Sequence, residues 1–149
     1  MYRPIDAPSG ARRGRSAEGR AEVRRALVDA ALTLFATHGY DETTVDDIAA
    51  AAGVARRTFF RYFRGKEDAV SPDHEACLTR LDAVFTAAHP GEPVLSVVLR
   101  AAEFVLDMYF ADADASRIRF RLVHEVAALR DREVASVHPY RQLFTRHLR

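Results

Sequence analysis

The sequence predicts an all-α protein, with a three-helix, helix-turn-helix domain followed by an antiparallel helical domain. Apolar residues recur at helical spacing in each long segment, glycine and proline punctuate those segments at short intervals, and no strand pattern of consequence occurs. The chain has 149 residues, 48% of them apolar and 29% charged, enough to bury a real core. Its longest apolar runs, such as "DAALTLFA", fall well short of the roughly 20 residues that a bilayer span needs. The N-terminus has no apolar region of a secretory signal, and Cys77 is the single cysteine, so a cytoplasmic location is expected.

Residues 1–19 combine Pro4, Pro8, Gly10 and Gly14 with arginines and show no periodicity, so they are expected to form a disordered arm. Its Arg12, Arg13 and Arg15 are placed to reach a minor groove or to remain a solvated tail. From Arg20, the Val23, Leu27, Ala30, Ala31, Leu34, Phe35 spacing predicts a helix that stops at His38-Gly39. In "DETTVDDIAAAAGVA", Thr44 is placed to cap a short helix with Asp47 three residues on, and Gly53 ends it. Phe59, Tyr62 and Phe63 in "ARRTFFRYF" then share an inward face, leaving Arg56, Arg57, Phe60, Arg61 and Arg64 on the other. Residues 45–63 therefore predict two short helices around a glycine turn.

Lys66 to Val70 opens a further helix that Ser71-Pro72 can restart, with Cys77, Leu78, Leu81, Val84 and Phe85 as its apolar stripe. "HPGEP" breaks the chain before a helix over 94–110, whose predicted buried side is Leu95, Val98, Ala101, Ala102, Val105 and Met108-Tyr109. Helices over 117–129 and 133–149 follow, with Pro139 kinking or restarting the last. The predicted organisation is an arm (1–19), a helix-turn-helix domain (20–65) and a helical regulatory domain (66–149).

Charge is divided unevenly. Residues 1–66 carry 12 basic and 8 acidic side chains, whereas residues 67–149 carry 10 and 13. An electropositive front suits a polyanion on one side of the molecule. Arginines on a surface helix match that partner, because each phosphate contact releases condensed counterions and a helix fits the major groove, about 12 Å wide. His74 and Cys77 lie three residues apart but lack further ligands nearby, so no metal is expected. "GKE" lacks the remainder of a phosphate loop, and no serine elbow, catalytic carboxylate pair or zinc-protease motif occurs, so neither an enzyme nor a cofactor is expected.

The stretch "RRALVDAALTLFATHGYDETTVDDIAAAAGVARRTFFRYFRGKEDAV" resembles the DNA-binding domain of TetR-type bacterial transcriptional regulators over residues 20–70. "HGY", "TTVDDIAAAAGV", "TFFRYF" and "KED" carry the resemblance. It implies phosphate contacts at Thr43 and Thr44, base or backbone contacts at Arg56, Arg57 and Thr58, and aromatic contacts near phosphate at Phe60 and Tyr62. Arg61 belongs to the same groove-facing side by its spacing. Lys66 is implied as a phosphate ligand at the start of the fourth helix. Three positions depart from the family pattern: Ala55 replaces a capping serine, Phe60 replaces tyrosine, and Arg64-Gly65 replaces proline-serine.

The implied partners are double-stranded operator DNA and a small-molecule effector, with a homodimer if the full-length chain is longer. The implied activity is ligand-relieved repression. Family members finish with two pairing helices, and this chain stops inside an apparent helix, so a fragment or a regulator without those helices is expected. A helical enzyme or carrier with an incidental basic helix is the contrasting class. Phe85, Arg100, Phe104, Met108, Tyr109, Phe120 and His124 lie on the helices that would enclose an effector, without any being assigned to it.

Overall fold

The computed structural model describes residues 9–148, with side chains from Ser16 onward. Among these residues all regular structure is helical: α1 (Ser9–His38), α2 (Val45–Ala51), α3 (Arg56–Phe59), a 3-10 turn (Lys66–Ala69), α4 (His74–Thr86), α5 (Val94–Phe110), α6 (Ala113–Glu125) and α7 (Ala127–His147). The first departure from expectation is at the arm, because α1 already runs from Ser9. Continuing a formed helix adds a hydrogen bond per residue without a new nucleus, which outweighs the roughly 1 kcal/mol cost of each glycine. Residues 1–8 lie outside the described residues, as do the side chains of Arg12, Arg13 and Arg15.

Gly39, at φ 92°, ends α1 and donates its N–H to the Phe35 carbonyl at 3.1 Å. Thr43 then donates its hydroxyl back to the Gly39 carbonyl at 2.7 Å. The capping box at α2 is complete: Thr44 Oγ1 accepts from the Asp47 N–H at 3.2 Å, and Asp47 Oδ2 accepts from the Thr44 N–H at 2.9 Å. Thr44→Ala is expected to destabilise the fold by about 1 kcal/mol, measured by urea unfolding at neutral pH.

The Thr44 hydrogen bonds hold the Asp47 carboxyl below the usual carboxylate range. A depressed folded value means that this contribution is present above the unfolded value and lost as pH falls through the folded one. The difference between wild type and Thr44→Ala should therefore shrink in acid.

The helix-turn-helix bend closes on Gly53 at φ 70°. Its N–H bonds to the Ala50 carbonyl at 3.0 Å and that of Val54 to the Ala49 carbonyl at 2.9 Å. This paired pattern is a Schellman ending, which requires a left-handed residue and therefore favours glycine. Ala49 is buried at the crossing, where a small side chain lets α2 approach its neighbours.

Two cores result. The first joins Leu27, Val28, Ala31, Leu32 and Phe35 of α1 to Ile48 and Ala49 of α2, then to Phe59, Phe63, Ala69 and Val70. It continues into Ala115 and Leu122 of α6 and Leu129 of α7. The second joins Cys77, Leu81 and Phe85 of α4, Val97 and Ala101 of α5, and Leu143 of α7. The helix-turn-helix segment thus shares its core with α6 and α7.

The later helices depart from expectation in register. Val126 adopts an extended conformation and separates α6 from α7, and Pro139 sits inside α7 without ending it. Proline lacks a donor for the Ala135 carbonyl, and both residues are exposed, so water can take that bond. On α5, Val97 and Ala101 are buried whereas Leu95, Ala102 and Tyr109 are exposed, reversing part of the predicted inward side. Apolar residues occupy both sides of this helix, so spacing alone did not choose between them.

Candidate nucleic-acid interface

The basic segment is presented by a very short helix. α3 begins after Ala55, an N-cap with no side-chain hydrogen bond. Four residues later it tightens: Arg61 N–H bonds to the Thr58 carbonyl at 3.1 Å and Tyr62 N–H to the Phe59 carbonyl at 2.9 Å. Phe59 has no exposed surface and Phe63 is buried, and their ring centroids lie 5.4 Å apart. These two rings anchor the segment and aim its opposite side at solvent.

On that outer side Arg57, Arg61 and Arg64 are exposed, and their guanidinium groups have no ion-pair or hydrogen-bond partner among the described residues. Arg56 is also exposed but is bonded to Asp46 of α2 at 2.7 Å, and its guanidinium lies 5.4 Å from the Phe60 ring centre. Such a surface pair is worth about 0–1 kcal/mol, so a phosphate can replace Asp46 at little cost. Phe60 is 46% exposed and meets Phe59 edge-on at 5.5 Å. Thr58 is half-buried on the same short helix. These side chains give the segment an exposed basic side, on which Arg56 meets the Phe60 ring.

Three residues implied as DNA contacts carry contacts within the protein. Thr43 is only 2% exposed and its hydroxyl is engaged by Gly39, so its side chain staples the α1–α2 turn from inside. Tyr62 is half-buried, packs on the first core and borders a junction cavity of about 410 Å³. This is the inward placement that its spacing with Phe59 predicts. Thr44 is exposed, but its hydroxyl is engaged in the capping box.

Lys66 is held within the protein. Its ammonium donates to the carbonyls of Tyr40 at 2.6 Å, Thr43 at 3.0 Å and Asp41 at 3.4 Å, and lies 4.4 Å from the Tyr40 ring centre. All three donor hydrogens thus face the α1–α2 turn. Lys66 starts the 3-10 turn, a separate element from α4, which begins at His74. Beside it, burial and the negative charges of Glu67 and Asp41 push the Tyr40 hydroxyl up to about 12. Sequence reasoning missed Tyr40 and Asp46 as partners, since each meets its cation only through the chain reversal around the turn.

Arginines from other helices hold the segment that follows. Arg24 of α1 bonds to Asp73 at 3.0 Å and to the Pro72 carbonyl at 2.6 Å, and Arg119 of α6 bonds to the Val70 carbonyl at 2.9 Å. Arg132 of α7 pairs with Asp68, whose other oxygen accepts the Arg64 N–H at 2.7 Å. One carboxylate therefore connects α7 to the backbone of the basic segment. His74, considered with Cys77 for a metal, is 3.1 Å from the Tyr140 hydroxyl and 3.4 Å from Glu133, while Cys77 is buried in the second core. No group of three or more metal-ligating side chains occurs among the described residues.

The geometry defines a helix-turn-helix protein with a positive recognition surface. Residues 27–70 match the family model described as bacterial regulatory proteins, tetR family. It is similar to MftR of Mycobacterium tuberculosis, named for transcriptional regulation of mycofactocin biosynthesis, at 45% identity over 58 residues, covering 39% of this chain and 29% of that one. The transcriptional regulator AcrR of Shigella flexneri is 35% identical over 89 residues, covering 58% of this chain and 41% of its own. IcaR of Staphylococcus aureus, named as a negative transcriptional regulator of the biofilm operon icaADBC, is 31% identical over 58 residues, covering 39% and 31%. The chain spans less than half the length of each of these relatives.

Proposed function

We propose that the chain is a sequence-specific DNA-binding transcriptional regulator that represses its operator until a small molecule binds. The observation that carries this reading is the set of unpartnered guanidinium groups at Arg57, Arg61 and Arg64, mounted beside a capped helix and a glycine turn. Phosphate is the ligand that repays holding such like charges together, and a bidentate arginine distinguishes guanine by about 1–3 kcal/mol. Arg56, Arg57 and Thr58 are the residues proposed to meet bases. Repression is supported by the similarity to IcaR, a negative transcriptional regulator by name. No helix among the described residues is long and apolar enough to cross a membrane, which accords with a cytoplasmic DNA partner.

Effector control would act through the linking segment. A ligand that competes for Arg132 or Asp68 in the junction cavity would release α7 from the backbone at Arg64. It shifts the equilibrium only by its differential affinity for the tied and released states. A pair of copies would set two recognition surfaces on a palindromic operator, about 34–36 Å apart.

Binding of the purified chain to its own promoter region, titrated over a range of salt, tests this reading. The Arg57→Ala, Arg61→Ala, Arg64→Ala variant is expected to lose most affinity, with the logarithmic salt slope falling by about 0.9 for each arginine that meets phosphate. Arg141→Ala, on the exposed side of α7, should leave both unchanged. Equal affinity and slope in the triple variant and the wild type would overturn the assignment.

A further inference from the structure

The arginines of the basic segment are not equivalent. The guanidinium groups of Arg57, Arg61 and Arg64 have no ion-pair or hydrogen-bond partner among the described residues, whereas that of Arg56 is held on two sides. Its Nη1 donates to Asp46 Oδ2 at 2.7 Å, and its guanidinium carbon lies 5.4 Å from the Phe60 ring centre. Both holders are themselves anchored. Phe60 meets the fully buried Phe59 edge-on at 5.5 Å, and Asp46 stands in the first turn of α2, beside the Asp47 that closes the capping box. Arg56 and Asp46 are both exposed, so their pair adds little to stability, and its effect lies in what the guanidinium can meet next.

Charge restricts that choice. A guanidinium is a planar fork of five donors, and the bond to Asp46 leaves the Nε–Nη2 edge without a hydrogen-bond partner among the described residues. Two groups on a duplex suit such an edge: a phosphate, and the O6 and N7 of guanine. A phosphate that takes this edge or displaces Asp46 leaves the carboxylate beside an anion, whereas guanine presents neutral acceptors that a nearby carboxylate repels far less. Arg56 is also the first residue of α3, and the first residues of a recognition helix are those that reach base edges. Asp46 thereby separates one base-reading arm from the unpaired arginines that can take phosphate.

We infer that Asp46 is a positioning residue for base recognition, whose charge turns Arg56 away from phosphate and toward guanine. This role rests on the operator-binding reading and extends it, because an acidic residue of α2 then sets specificity while lowering affinity for DNA of any sequence.

Selection from a pool of randomised DNA duplexes, with a salt titration on the unselected pool, tests this role. Wild type should enrich a motif with a guanine position that Arg56→Ala loses. Asp46→Asn, which keeps the side-chain shape and removes the charge, should weaken the preference for that guanine about tenfold and leave the other positions intact. On the unselected pool Asp46→Asn should bind more tightly than wild type, with a logarithmic salt slope steeper by about 0.9, as one more arginine meets phosphate. A guanine preference that Asp46→Asn leaves intact, a slope no steeper than that of wild type, or the weaker binding to both pools that a merely structural role would give, would each overturn the role of Asp46 while the operator reading stands. A wild type that enriches no motif would overturn both.

Discussion

Phe59→Ala is expected to destabilise the protein by about 3–5 kcal/mol, the range for truncating a fully buried aromatic, and to abolish binding to the promoter duplex. Phe59 has no exposed surface and touches both Phe60 and Phe63, so its ring is the pivot on which α3 rests against α1 and α2. Removing it leaves a cavity directly beneath the basic segment. Because the same core includes Leu122 and Leu129, the loss should appear in the global melt and not only in local fraying. Urea unfolding followed by circular dichroism measures it. Phe60→Ala is the control: with 46% of its surface already exposed, it should cost about 1 kcal/mol through the lost edge contact. Similar losses in both variants would contradict this anchoring role.

Lys66→Met is expected to cost about 2 kcal/mol, in the range of charge-assisted hydrogen bonds, and to weaken DNA binding while leaving the salt slope unchanged. The methionine retains the stem but leaves the carbonyls of Tyr40, Asp41 and Thr43 without their donor. A lysine bound to phosphate would behave differently, because its removal lowers the slope by about one unit with no comparable loss of stability. Salt titration and thermal melting on the same variant therefore separate a clamp from a phosphate ligand. A slope reduced by one with an unchanged melting temperature would overturn the clamp.

The helix-turn-helix was legible because its signals are local. Thr44 and Asp47 satisfy each other within one turn, Gly53 supplies a conformation that other residues rarely adopt, and Phe59 and Phe63 repeat at helical spacing. The internal partners of Lys66 were not legible, because a position in a motif does not report what lies across from it. Its carbonyl partners sit more than twenty residues away, within the α1–α2 turn. The inward bond of Thr43 was not legible for a related reason, since a hydroxyl beside a cap can face inward as readily as outward. The inward side of α5 was misjudged where both sides are apolar, and Val126 ended α6 without any proline or glycine to mark it. In each case the missing information was tertiary.

The core that continues from α1 through Phe59 into α6 and α7 makes the recognition surface inseparable from the part that would sense a ligand. Cutting the chain after Val70 would strip Ala115, Leu122 and Leu129 from that core and expose the apolar faces they cover. An isolated helix-turn-helix fragment should therefore be a poor substitute for the whole chain, soluble only with its α1 face altered. The same continuity means that force applied at α6 or α7 reaches α3 through packed side chains as well as through the Asp68 tie. The two halves of this molecule are joined as by a weld, and a signal crossing it would deform a solid as well as pull a string.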